Sequence, residues 1–221
     1  MEDKYTDAYY DWLQKHLYSA VLADILDSLG YRDQIMDPQI RPLYPGALLV
    51  GRAATMLATE TFCVPEKAYY MELELLDDIR PGEVVVCCMS GRKAAALWGE
   101  LLSTHTRAKG GRGALIDGGC RDTHNITAMQ FPVFCTSIVP SDSKGRYNVV
   151  EIRTPIRAGS VLVNNNDLVF ADGDGCVVIP QQIEDEVIRK AIDKVSGENK
   201  VREILRNGAS IRQVFDEYGI L

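Results

Sequence analysis

Histidine is scarce in this 221-residue chain, with only His16, His105 and His124. None of the three has metal-ligand spacing with another or with a cysteine, and no C-x-x-C pair occurs, so a structural zinc site is not expected. The six cysteines (Cys63, Cys87, Cys88, Cys120, Cys135 and Cys176) fall mostly in apolar runs and read as free buried thiols of a reducing cytoplasm. Long hydrophobic runs are missing as well. A stretch such as Glu83-Val-Val-Val-Cys-Cys-Met-Ser90 is far short of the roughly 20 residues that cross a bilayer, so no membrane partner is expected. The opening Met-Glu-Asp-Lys-Tyr-Thr-Asp lacks a basic region followed by an apolar one, so no secretory signal is expected and the reading is cytoplasmic. Basic excess is absent: Lys plus Arg is 24 against 31 Asp plus Glu, a formal net charge of −7. Such a chain repels a phosphate backbone, which argues against a nucleic-acid partner but leaves room for a local pocket that takes a small anion. No Gly-rich loop follows a strand in a way that suits S-adenosylmethionine, so a methyltransferase is disfavoured.

What is present is ordinary core-forming material. Hydrophobic residues make up 46% and charged residues 25%, enough for one compact unit with a real core. The first 30 residues read as helical, with Ser19 as a cap and Gly30 as a stop. Residues 46–60 and 83–88 read as strands, with a short helix over 67–77 and a Pro81-Gly82 turn between them. An Ala- and Leu-rich helix is expected from about Lys93 to Ala108, then a short strand over 113–117 and another over 131–136 behind a one-turn helix. Four short strands over 147–153, 160–163, 167–171 and 176–179, separated by Asn- and Gly-rich turns, suggest a compact β-unit, a barrel or a sandwich. From Gln181 the chain is helical and charged, with a second cap at Ser210. The expected class is mixed α/β or α+β: one domain over 1–221 with residues 181–221 as a C-terminal helical arm, free to bind a partner or to fold back.

One pair of segments carries chemistry: Trp98-Gly-Glu-Leu-Leu102 and Asp117-Gly-Gly-Cys-Arg-Asp122. A helix from Gly99 to Lys109 rises roughly 16 Å. A strand over 113–117 returns about the same distance. If the two run antiparallel, Arg121 and Asp122 land beside the free N–H groups of Gly99, Glu100, Leu101 and Leu102. A helix N-terminus can hold a carboxylate, and the Arg121 fork suits a carboxylate or an enolate oxygen. Asp122 and Glu100 are hard oxygen ligands suited to Mg²⁺ or Mn²⁺. Gly118 and Gly119 would let backbone approach a ligand. On local physics alone, the same Arg-Asp pair also fits a surface ion pair, and Asp117-Gly118 fits an ordinary turn.

These residues resemble the RraA-like family, which includes the 4-hydroxy-4-methyl-2-oxoglutarate/4-carboxy-4-hydroxy-2-oxoadipate aldolases. The family pattern of a Gly or acid, twenty positions, then Arg-Asp is met by Glu100 and Arg121-Asp122. Residues 113–122, Asp142-Ser-Lys-Gly-Arg146, 167–175 and Val177-Val-Ile-Pro180 are similar to family segments, and the resemblance spans about 17–220. It implies a swivelling β/β/α-type fold assembled as a homotrimer, or as a homohexamer of two trimers, with the site between subunits. It also implies that Asp122 binds the divalent metal, that Arg121 holds substrate and that the amides of Leu101 and Leu102 hold the pyruvyl carboxylate. Glu100 would contact metal-bound water, and a Glu of a neighbour's C-terminal region, matched to Glu198, would join the site. Many members carry an acid three positions after the metal Asp, where this chain has Asn125; His124 beside it is a candidate substrate contact or a loop residue. The implied activity is divalent-metal-dependent retro-aldol cleavage of a 4-hydroxy-2-oxo acid to pyruvate, with oxaloacetate decarboxylation as a side activity. A Schiff-base route is disfavoured because Lys93 and Lys109 are expected at solvated helix ends. The rival is a non-catalytic regulator that binds ribonuclease E, as some relatives do.

Overall fold

The computed structural model describes residues 5–91 and 94–220. The chain opens with helices α1 (Asp7–His16) and α2 (Ser19–Ser28), followed by β1 (Arg41–Pro42) and β2 (Leu49–Glu60). Next come α3 (Tyr70–Asp77), β3 (Glu83–Met89), β4 (Ala96–Trp98), α4 (Glu100–Ala108), β5 (Gly113–Cys120), α5 (Thr123–Ala128) and β6 (Val133–Ile138). The remaining strands are β7 (Tyr147–Ile152), β8 (Ile156–Ala158), β9 (Val161–Val163), β10 (Leu168–Ala171) and β11 (Cys176–Ile179). A 3-10 turn over Gln181–Ile183 leads into α6 (Glu184–Arg206) and α7 (Ile211–Tyr218).

Among the described residues nine strands form one curled sheet in the order β1-β6-β5-β3-β2-β10-β11, with β4 added to β5 and β7 to β2. The centre is parallel: β2 with β3, β3 with β5, β5 with β6. These central strands are nearly continuous apolar runs, buried almost throughout, as parallel strands covered on both faces must be. The long β2 serves two neighbours along one edge. Residues 49–52 pair with β10, and residues 56–60 pair with β7 across a register shift at Leu57/Ala58. One face of the sheet packs Leu75, Leu76 and Ile126 of the helices α3 and α5. The other face packs the β8–β9 hairpin and Met36, Ile40 and Ala47. Helices α1, α2 and the first half of α6 cluster over Leu168, Phe170 and Ile179. There Arg52 of β2 and Glu184 of α6 make a buried ion pair.

Several local expectations are corrected. The helix expected from about Lys93 begins only at Glu100, because Ala96–Trp98 is a third parallel neighbour of the β5 end. Lys93 itself lies outside the described residues. An apolar run of that length carries no period that separates strand from helix, and here full burial on the sheet decides it. Ser19 lies inside α2 rather than capping it through its own backbone; its N–H and Oγ both bond the Asp172 carboxylate, at 2.8 and 2.6 Å. Ser210 does occupy the N-cap of α7, but without a side-chain capping bond. The four strands expected over 147–179 do not make a separate β-unit. Three of them join the main sheet, and an extra strand, β8, pairs with β9. Asp117-Gly118 is no turn: β5 runs on to Cys120, and the buried Asp117 carboxylate accepts the Gly159 N–H at 2.9 Å. The cysteines are free, as expected, but not all are buried: Cys63 is exposed and Cys88 half-buried.

Candidate active site

The ends of β4 and β5 lie side by side, and this brings the two chemistry-bearing segments together. The Arg121 N–H bonds the Trp98 carbonyl at 2.9 Å. Beyond that bond, one chain turns at Gly99 into α4 and the other turns at Asp122 into α5. Asp122 makes its turn in the left-handed region, at φ 57° and ψ 31°. Aspartate tolerates that region better than most residues, and strain of this kind is concentrated at functional sites. Asp122 Oδ2 accepts the Glu100 N–H at 3.2 Å and lies 3.8 Å from Arg121 Nε. Its Oδ1 has no partner among the described residues, and the side chain is 44% exposed. Gly99 is extended, so its role is steric: a Cβ there would fall 2.7 Å from Asp122 Oδ2. The next two amides of α4, those of Leu101 and Leu102, lie in the first turn, where helical N–H groups have no intrahelical acceptor.

Arg121 is aimed by a second carboxylate. Its Nη2 lies 3.5 Å from Asp142 Oδ1, which also accepts the Ser143 N–H at 2.9 Å. The Tyr69 hydroxyl donates a short hydrogen bond to the other oxygen of Asp142. Burial and that bond push the Tyr69 phenol up to about 12, so it stays a donor. Tyr69 is itself left-handed, at φ 69°, an uncommon conformation for a bulky residue, and it stands at the N-terminus of α3. One turn into α3, the Glu72 side chain reaches the same space and is 4% exposed. It has no hydrogen-bond or ion-pair partner among the described residues. Burial, and then the Asp142 charge, push its carboxyl up to about 8 against the pull of Arg121. These groups line a cavity of about 300 Å³ whose apolar wall is made by Leu73, Leu97 and Trp98.

Gly99, Leu101, Leu102, Arg121 and Asp122 therefore share one cavity. Glu100 contributes its amide, while its carboxylate accepts the Thr104 hydroxyl at 2.7 Å along its own helix. Glu198 is not brought to this cavity within one chain. It sits on α6, bonded by the Tyr18 hydroxyl and near Lys194 and Arg202 at 4.0 and 3.8 Å. His124 and Asn125 are exposed on α5 and line a shallow depression behind Arg121 and Asp122. Lys109 is exposed beyond α4, and among the described residues no lysine lines the cavity. Gly118 and Gly119 do not face a ligand. A Cβ at either would strike Met89 Sδ at 2.2 Å or the Ala95 carbonyl at 2.3 Å, so they serve the packing around β5. Sequence reasoning missed Tyr69 and Glu72 and quoted Asp142 only as part of a segment. A signal for Glu72 was there: it shares the buried stripe of α3 with Leu75 and Leu76, three and four positions on.

A family model described as RraA-like, Aldolase/RraA, matches residues 19–178. The chain belongs to the RraA-like family. The mixed α/β architecture with its curled sheet and C-terminal helices is the RraA-like fold. Protein DlpA of Legionella pneumophila is 29% identical over 204 residues, covering 90% of this chain but 32% of its own length, so this chain spans about a third of that relative. A Halalkalibacterium halodurans protein named "Putative 4-hydroxy-4-methyl-2-oxoglutarate aldolase" is 30% identical over 198 residues, covering 89% of each chain. Among solved structures, Streptomyces coelicolor RraAS2, described as an unusual member of the RNase ES inhibitor RraA protein family, superposes with a TM-score of 0.77 at 27% identity. That match covers 89% of this chain and 96% of RraAS2.

Proposed function

We propose that this RraA-like chain is a divalent-metal-dependent lyase that cleaves a 4-hydroxy-2-oxo acid, such as 4-hydroxy-4-methyl-2-oxoglutarate, to pyruvate. The observation that carries this reading is the convergence of Arg121, Asp122 and the first-turn amides of α4 on one cavity. The residues suit a cation of the Mg²⁺ or Mn²⁺ kind. Asp122 keeps one carboxylate oxygen without a protein partner while the other is fixed by the Glu100 N–H, and Gly99 leaves clear the space a Cβ would fill. Among the described residues no group of three His, Cys, Asp or Glu gathers. That favours an ion held by one carboxylate and several waters over a zinc cage. When bound there, the ion would polarise the 2-oxo group and acidify water.

The remaining work falls to the chain. The amides of Leu101 and Leu102 receive the substrate carboxylate at the positive end of α4. The Arg121 guanidinium donates to the C2 oxygen, where negative charge grows as the carbon–carbon bond breaks. Asp142, with Tyr69 behind it, keeps that guanidinium from swinging into solvent. Leu73, Leu97 and Trp98 exclude water from one side, which strengthens each of these contacts. Loss of CO₂ from oxaloacetate gives the same pyruvate enolate, so decarboxylation accompanies cleavage. The active assembly is a cytoplasmic homotrimer or homohexamer in which α6 of a neighbour carries Glu198 to the site. Leu101, 77% exposed, and Ile138, 63% exposed, flank Arg121 and Asp122 as apolar surface for such a contact.

The test is pyruvate release, coupled to lactate dehydrogenase, from 4-hydroxy-4-methyl-2-oxoglutarate and related oxo acids. Turnover should require Mg²⁺ or Mn²⁺ and stop with EDTA. No release from any of them, together with specific capture of ribonuclease E, would favour the regulatory reading suggested by the likeness to RraAS2.

A further inference from the structure

We infer that Glu72 is a catalytic proton donor, whose carboxyl protonates C3 of the enolate left when the oxo acid is cleaved. The inference rests on the lyase reading above. The other two acids of the cavity are each held by named partners: Asp122 by the Glu100 N–H, Asp142 by the Ser143 N–H, Tyr69 and Arg121. Glu72 lines the same cavity, is 4% exposed and has no such partner among the described residues. A carboxyl on the buried stripe of α3, beside Leu75 and Leu76, costs the fold desolvation that a leucine there would avoid. Among the described residues no group hydrogen-bonds to it or pairs with it, and it faces the cavity. At about 300 Å³ the space is at the small end for ligand sites, so a bound oxo acid would lie close to every wall.

The surroundings divide the two neighbouring acids by role. Asp142 faces Arg121 and accepts two other hydrogen bonds, so both of its oxygens are occupied in positioning. The groups facing Glu72 are Asp142 from the loop after β6, Arg121 from the end of β5, Tyr69 at the start of α3 and Cys87 of β3. Burial and the Asp142 charge together keep the Glu72 carboxyl largely protonated at neutral pH, as a general acid requires.

The step balances within the substrate, the carboxyl and water. The distal hydroxyl gives its proton to water, its O–H electron pair forms the C4=O bond of the released carbonyl fragment, the C3–C4 bond breaks, and that bond's electron pair passes into the enolate. The Glu72 O–H bond then breaks, the proton forms the new C3–H bond of pyruvate, and the 2-oxo group re-forms. The Glu72 carboxylate is reprotonated from water.

Microscopic reversibility supplies the test. Run backwards, the Glu72 carboxylate removes a methyl proton from pyruvate, so the protein loaded with Mg²⁺ or Mn²⁺ should exchange pyruvate methyl protons in D₂O, followed by proton NMR. Because the basic form acts in this direction, the exchange rate should rise with pH as the Glu72 carboxyl loses its proton and then level. Glu72→Gln keeps the shape of the side chain but loses the transferable proton. It should slow exchange by at least about 100-fold, abolish the pH limb and leave pyruvate binding unchanged. Exchange by Glu72→Gln at the parent rate, in a parent that cleaves the oxo acid, overturns the assignment while the lyase reading stands. A parent that neither cleaves nor exchanges overturns that reading, and this assignment with it. Should Glu72→Gln fail to fold, Glu72→Asp decides: a lower rate with a displaced pH limb supports the assignment, and a profile identical to the parent's overturns it.

Discussion

Gly99 shows how finely the site is set at the scale of single residues. Its backbone is extended, a conformation that alanine adopts freely, so Gly99→Ala adds a methyl group without backbone strain. That methyl would meet Asp122 Oδ2 at 2.7 Å and Arg121 Cγ at 3.4 Å, forcing the carboxylate aside. Turnover should fall about 100-fold with little change in the urea midpoint, since displacements of about 1 Å at a site cost that much. A variant with parental turnover would show that the Asp122 position is unimportant. Glu72 adds a pH signature in stability. Its carboxyl titrates near 8 folded against 4.5 unfolded, so between those values the folded state binds the extra proton. Stability of the parent relative to Glu72→Gln should therefore fall as pH rises from 4.5 to 8, by at most about 1.4 kcal/mol per pH unit, and level above. Chemical denaturation across that range reads it, and a flat difference would contradict it. Arg121 and Asp122 were singled out in the sequence by the twenty-residue spacing from Glu100 that resembles the family pattern, since on local physics alone an adjacent Arg-Asp pair also fits a surface ion pair. The Tyr69–Asp142–Arg121 chain was not, because 73 residues separate Tyr69 from Asp142 and only the fold closes that gap.

Among elements, the buried apolar strands were the readable ones. Residues 83–89 and the run ending at Glu60 are unbroken enough that only a covered sheet suits them. β4 was not readable: three apolar residues have no period of their own, and their pairing with β5 is a tertiary decision. The cap of α2 was hidden for the same reason, since its acceptor, Asp172, lies 153 residues away. The joint between α6 and the sheet is the element contact most open to measurement. Arg52 and Glu184 are both buried and bonded through two oxygens. Glu184→Gln leaves the Arg52 charge without its counter-ion in the interior, and by analogy with other broken buried pairs should cost about 3–5 kcal/mol in urea unfolding. A cost below about 1 kcal/mol would mean that α6 is anchored by its apolar stripe of Val187, Ile188 and Ala191 alone.

For the whole molecule, the cavity, its open flank and the exposed Leu101 and Ile138 lie together on one surface. Sedimentation should give a native mass three or six times the 24.5 kDa of the chain. Loss of that assembly in Leu101→Glu would place the interface at the site, and an unaltered mass would place it elsewhere. The class of fold was legible because strand-like and helix-like segments alternate along the chain, whereas the curl of the sheet depends on β2 serving β10 and β7 in turn, which no local pattern encodes. The central claim, that Asp122, Arg121 and the α4 amides together grip a divalent cation and an oxo-carboxylate, is tested most directly by crystals grown with Mn²⁺ and oxalate, a mimic of the pyruvate enolate. Anomalous density for manganese on the Asp122 carboxylate, with oxalate bonded to Arg121 and to the amides of Leu101 and Leu102, is the predicted result; manganese bound away from Asp122, or oxalate absent from that cavity, would contradict it.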